Sequence, residues 1–142
     1  MSMLLKKKTE DAIVRDSFHR ISKSKTIKAC REVPLLGRCV DLMYISGNDL
    51  IAIEFKLFDW KKAIVQSYDH KLGADFAYIC ILERKITPEM QKEFQQAGVG
   101  LAFYREKGGW PFELIIKAPK SNETWPIMRS KAASYIKNIN NE

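Results

Sequence analysis

The chain has 142 residues, 46% hydrophobic and 29% charged, which is the size and composition of one globular domain spanning 1–142. Its formal net charge of +7 favours a polyanionic partner. No apolar run is long enough to cross a bilayer, and MSMLLKKKTE lacks the apolar core of a signal peptide. Cys30, Cys39 and Cys80 are scattered, odd in number and without a CxxC pair. They predict small core residues in a reducing, cytoplasmic compartment rather than a disulfide framework or zinc site.

Thr9 reads as the N-cap of a helix running to about Ser22, with Val14, Phe18 and Ile21 as its apolar stripe and Glu10 one turn before Val14 on that face. Asp11 and Arg15 pair at i,i+4 on a solvated face. Thr26 to Leu35 reads as a strand, placed at an edge or ending by Pro34. Arg38–Ser46 and Asp49–Leu57 form a hairpin through Gly47-Asn48. A helix follows from Asp59 to Leu72, stopped by Gly73. The continuous apolar run Phe76–Leu82 predicts a strand buried on both faces. Thr87-Pro88 opens a helix with Met90, Phe94 and Ala97 inward, ending at Gly98. Val99–Arg105 and Phe112–Lys117 are two more strands around Gly108-Gly109. A last helix starts at Thr124-Pro126 with Met128, Ala132, Tyr135 and Ile139 as its apolar face. The order predicts an α/β domain with a mixed central sheet flanked by helices.

The stretch DLMYISGNDLIAIEFK carries Asp41, Glu54 and Lys56 inside apolar runs. A two-residue loop at Gly47-Asn48 pairs Met43 with Ala52 and Asp41 with Glu54, and Lys56 shares the face of Glu54. Val40, Leu42, Tyr44, Ile51, Ile53 and Phe55 make the core face. Opposed carboxylates repel, and each resists desolvation. A shared proton, the nearby Lys56 or a divalent cation would offset this. The cation is the most complete answer, because Mg2+ takes one or two carboxylates plus water and phosphate oxygens. An ordinary exposed Glu54–Lys56 pair, with Asp41 capping a loop, is the alternative on spacing alone.

Asp41 followed by Glu54-Phe55-Lys56 on the next strand resembles the PD-(D/E)XK nuclease superfamily, which includes restriction endonucleases and archaeal Holliday-junction resolvases. The helix, three strands, helix, strand order of that core matches the elements from Thr9 to about Leu82. The resemblance implies a restriction-endonuclease-like αβββαβ core, with the later strands and the C-terminal helix added to it. It also implies Mg2+, with Mn2+ as a substitute, held by Asp41, Glu54 and the Phe55 carbonyl. Lys56 would serve the attacking water, with Glu10 and Gln66 in support. Val40 stands where the family often has proline. His70 stands where some branches have a tyrosine.

Lys61, Lys62, His70 and Lys71 extend a basic character along the helix after the motif and are candidate DNA contacts. Trp60 reads as packing against the sheet, Trp110 as a turn residue, and the run around His19 as a solvated basic face. No GxxxxGK, HExxH or GxSxG motif occurs. The expectation is a Mg2+-dependent DNA endonuclease, with a non-catalytic nucleic-acid-binding module on the same fold as the alternative. No membrane partner is expected. A homodimer would let two such sites cut two strands.

Overall fold

The computed structural model describes residues 9–139. The elements are α1 (Glu10–Ile21), β1 (Ile27–Leu35), β2 (Arg38–Ser46), β3 (Asp49–Phe55), α2 (Trp60–Ser67), α3 (His70–Gly73), β4 (Phe76–Ile81), α4 (Pro88–Ala97), β5 (Gly100–Tyr104), β6 (Phe112–Ile116) and α5 (Pro126–Ile139). Local chemistry sets most of their ends. Thr9 Oγ1 accepts the Ala12 N–H at 3.1 Å to cap α1, and Thr87 Oγ1 accepts the Met90 N–H at 3.1 Å to cap α4. Such caps contribute about 1 kcal/mol each. Gly98, at φ +69, closes α4 in the left-handed conformation. Gly47 carries φ +61 while Asn48 stays outside the positive region, the pattern of a type II′ turn.

The helix expected from Asp59 to Leu72 is broken in two. Ser67 is fully buried, and its hydroxyl donates to the Ala63 carbonyl at 2.8 Å. That back-bond bends a helix, and Tyr68 N bonds Val65 O in a tighter turn before α3 begins.

The six strands lie in the order β1-β2-β3-β4-β5-β6. The β1–β2, β2–β3 and β5–β6 pairs are antiparallel, whereas β3–β4 and β4–β5 are parallel. Helices supply the two parallel crossovers, as such connections require. Pro34 lies on β1, an edge strand. β4 is central, and five of its six residues are buried.

Two apolar layers enclose the sheet. On one face α1 lays Ile13, Val14 and Ile21 over Leu42, Ile51, Ile53 and Phe55. On the other, α2 and α4 cover Ile79, Ile81, Leu101 and Phe103, while Ala132 and Ile136 of α5 pack with Val33, Val40, Met43 and Ala52. Each fully buried Ile, Leu or Phe contributes about 1.5–3 kcal/mol. The inward row of α5 therefore differs from the expected stripe: Ile136 is buried, while Tyr135 and Ile139 are exposed. Met128, Ala132 and Ile136 follow one i,i+4 row, with Ala133 packed beside it. Cys30 and Cys80 are core residues as expected, but Cys39 is exposed.

The β2–β3 register matches the expectation for Met43↔Ala52, but the ladder ends at Leu42↔Ile53, so the expected Asp41–Glu54 pair does not form. Val40, expected beside Leu42, packs instead on the opposite face with Met43. In β1 the same reversal separates Ala29, on the α1 face, from Val33 and Leu35 on the other. Both reversals occur at the Glu32–Asp41 level, which is missing from the β1–β2 pairing, and Glu32 has φ +54. A non-glycine residue held there costs about 1–2 kcal/mol. The hairpin face thus switches sides at the level of the acidic residues, and this also turns Cys39 outward.

Candidate active site

Beyond Leu42↔Ile53 the β2 and β3 backbones separate, and side chains take over the freed N–H groups. Asp41 Oδ2 accepts the Phe55 N–H at 2.8 Å. The Asp41 backbone N–H also favours the charged form of Glu54. Glu10, from the first turn of α1, accepts the Leu57 N–H on Oε2 at 3.1 Å. The β3–β4 pairing continues past the motif, with Lys56 N bonding Cys80 O at 3.0 Å. Three acids from three elements therefore meet where the hairpin forks.

Their electrostatics follow from this crowding. Burial raises Asp41 above the ordinary carboxylate range. Glu10 and Glu32 push it further, while the Phe55 N–H and Lys56 oppose the rise. Glu54 is pushed up to about 8 by burial first and by the Asp41 charge second, against the pull of Lys56. Lys56 is half-buried, and its ammonium is within electrostatic reach of both acids. A cavity of about 200 Å³ opens beside the fork, lined by Glu10, Asp11, Val14, Arg31, Glu32 and Asp41. Glu32 and Asp11 are the acids of this lining that the sequence reading did not select for the site.

On the far side of β3 sits a second set of polar atoms. His70 Nε2 is 3.9 Å from Glu54 Oε1, too far for a hydrogen bond. Burial pushes His70 down to about 4, so both groups are neutral near pH 7 and form no ion pair. Glu54 Oε1, Gln66 Oε1 and His70 Nδ1 are buried with no hydrogen-bond partner among the described residues. Such orphans are uncommon in native proteins and mark strain, catalysis or a missing ion or water.

The residues expected to touch DNA divide. His70 is 4% exposed and faces Glu54 rather than solvent. Lys71 donates to the Ala97 carbonyl at 2.7 Å and pairs with Glu123 at 3.1 Å. Lys61 is exposed but paired with Glu89 at 2.7 Å. Lys62 is exposed. Trp60 packs on Phe94, with ring centroids 5.8 Å apart, as expected of a core residue.

Asp41 and Glu54 are the side chains suited to a divalent metal, with the Phe55 carbonyl as the backbone donor between the motif residues. Among the described residues no group of three or more His, Cys, Asp and Glu side chains closes up as a metal cage. Mg2+ does not need one, since it commonly keeps several waters and uses one or two carboxylates. The orphaned Glu54 oxygen and the hard-oxygen donor set fit such an ion.

No family model matches the sequence, and no curated protein matches it. Among solved structures it is similar to SPO1766, a protein of unknown function from Silicibacter pomeroyi, with a TM-score of 0.65, 17% identity, and coverage of 95% of this chain and 88% of that one. A second similarity is to SfsA from Pyrococcus furiosus in complex with Ca2+, with a TM-score of 0.41, 13% identity, and coverage of 77% and 61%. Among the described residues no helix is long and apolar enough to cross a membrane. The chain thus shares with the Silicibacter protein a mixed α/β fold, here a six-stranded sheet with helices on both faces.

Proposed function

We propose that the protein is a divalent-metal-dependent deoxyribonuclease on a PD-(D/E)XK, restriction-endonuclease-like core. The observation that carries this reading is the forked hairpin, where two crowded, partly desolvated carboxyls meet a lysine and one buried carboxyl oxygen has no partner. A fold without chemistry to perform gains nothing from holding Glu54 this way.

In this reading Asp41 and Glu54 hold Mg2+ together with the Phe55 carbonyl, and the ion supplies charge neutralisation at the scissile phosphate and a more acidic water. The Phe55 N–H fixes the Asp41 carboxyl, leaving its other oxygen for the ion. Glu10 tethers α1 to Leu57 and closes one wall of the site. Lys56 orients the attacking water and balances charge on the phosphate. His70 lies beneath Glu54, 3.9 Å from its Oε1, and Gln66 on α2 is the further supporting residue. Exposed lysines such as Lys62 contact the DNA backbone, which gives a steep salt dependence.

The non-catalytic alternative draws on the capping bonds that Asp41 and Glu10 make to Phe55 and Leu57, which a purely structural role also explains. Incubation of plasmid and branched DNA with and without Mg2+ decides between them. The nuclease reading expects metal-dependent cleavage that Lys56→Ala abolishes while DNA binding persists. Binding without cleavage in Mg2+ or Mn2+ would establish the alternative.

A further inference from the structure

The loop between β5 and β6 is held with unusual firmness. Arg20 of α1 has a side chain only 9% exposed. Its guanidinium donates to the carbonyls of Arg105 (2.6 Å), Gly108 (2.9 Å), Gly109 and Trp110 (both 3.4 Å), and to Asp16 (3.0 Å). Arg105 N closes the loop onto Pro111 O at 2.7 Å. The product of this bracing is an exposed tryptophan in a fixed place. Trp110 is 43% exposed and stands edge-on to Tyr44 and Phe112, with centroids 5.9 and 6.1 Å away at interplanar angles of 82° and 87°.

These rings wall a cavity of about 400 Å³, floored by Ile51 and Ile53 and within the roughly 300–1,000 Å³ range of small-molecule sites. Its rim is polar, with Ser46, Asp49 and the exposed Lys117. It lies on the α1 face of the sheet toward the Ser46–Asp49 end of the hairpin and shares no lining residue with the cavity beside Asp41, so it is no part of the acidic site.

We propose that this cavity binds a nucleotide. A planar base fits between aromatic walls that leave ring faces open. Ser46, Asp49 and the Tyr44 hydroxyl supply hydrogen-bond donors and acceptors for a base edge, and Lys117 supplies the charge for a phosphate. An acyl chain would have no use for such a rim. The nucleotide is either free or one unit of a single strand, and both present the same chemistry. The proposal stands apart from the nuclease reading and survives its failure.

The test is a titration of the full chain in EDTA, following tryptophan emission, with adenosine or thymidine monophosphate in one arm and a short single-stranded oligodeoxynucleotide in the other. Either probe is expected to quench emission in the wild type, and Trp110→Phe should remove that quench. Response to the mononucleotide marks a free-nucleotide site, and response to the oligonucleotide alone marks a strand-bound one. Trp110→Ala should weaken binding at least about fivefold, the lower end for a lost base stack. Lys117→Glu, an exposed change that the fold tolerates, should weaken binding and flatten its salt dependence. Three outcomes overturn the proposal: no response to either probe at millimolar concentration, a response that persists in Trp110→Phe, or a Trp110 signal that tracks protein concentration together with the sedimentation coefficient, which would make the groove a contact between copies.

Discussion

Replacing Glu54 by glutamine is expected to stabilise the metal-free protein. Burial and the Asp41 charge lift this carboxyl from 4.5 to about 8. Between those values the native state holds a proton that the unfolded chain has released, so stability falls as pH rises. At 1.36 kcal/mol per pKa unit, holding this carboxyl protonated costs about 3 kcal/mol at pH 7, and the penalty approaches about 5 kcal/mol well above pH 8. That is a large part of the roughly 5–15 kcal/mol that holds a domain together. Glutamine keeps the shape and removes the titration. Urea unfolding of both proteins in EDTA, from about pH 5 to pH 8, should show a gap that widens from about 1 kcal/mol to about 4 kcal/mol in favour of Glu54→Gln. Adding Mg2+ should then narrow it by stabilising the wild type alone. A gap independent of pH, or a variant less stable than the wild type at pH 8, would refute the idea that Glu54 is a strained, desolvated acid.

Three other measurements probe the surroundings. His70, pushed down from 6.5 to about 4 by burial, is buried neutral, so its contribution is complete above 6.5 and is lost as pH falls toward 4; His70→Gln should abolish a loss of about 3 kcal/mol across that window in acid unfolding curves. Burial alone would raise Asp75, but Arg129, donating at 2.7 and 2.9 Å, and the Leu50 N–H hold it below the usual range; Arg129→Ala should cost about 1–3 kcal/mol at neutral pH, with the deficit shrinking in acid as Asp75 protonates. Gly100→Ala would set a Cβ 2.7 Å from the Ile116 carbonyl oxygen and against the Tyr78 ring, so a chemical melt should show a loss of about 1–3 kcal/mol.

Much of this architecture is legible in the sequence. Caps at Thr9 and Thr87, the Gly47-Asn48 turn and the doubly buried β4 are short-range signals: a hydroxyl reaches an N–H three residues away, and a glycine permits one backbone angle. The same counting brought Asp41, Glu54 and Lys56 to one end of one hairpin. Glu32 was within reach of it too. A two-residue turn at Leu36-Gly37 sets Leu35 against Arg38 and therefore Glu32 level with Asp41, but Leu36, at φ +53, is not a residue that announces such a turn.

Other features belong to the tertiary structure alone. Strict alternation along β2 assigns Val40 to the face of Leu42. The reversal at Glu32 and Asp41 moves it to the other, because the fork trades a backbone pair for carboxylate–amide bonds. Arg20 reads as one more cation on a solvated helix, and only the arrival of the β5–β6 loop, 85 to 90 residues later in the chain, makes it a buried brace. His70 likewise reads as a basic surface residue until the break after Ser67 turns it under Glu54. The amino-acid order determined most of the elements, their caps and the hairpin register from Leu42↔Ile53 to the turn, since these depend on neighbours a few residues apart. Which side chains are denied water, and so which acids are strained, depended on what the fold brings from a distance to cover them.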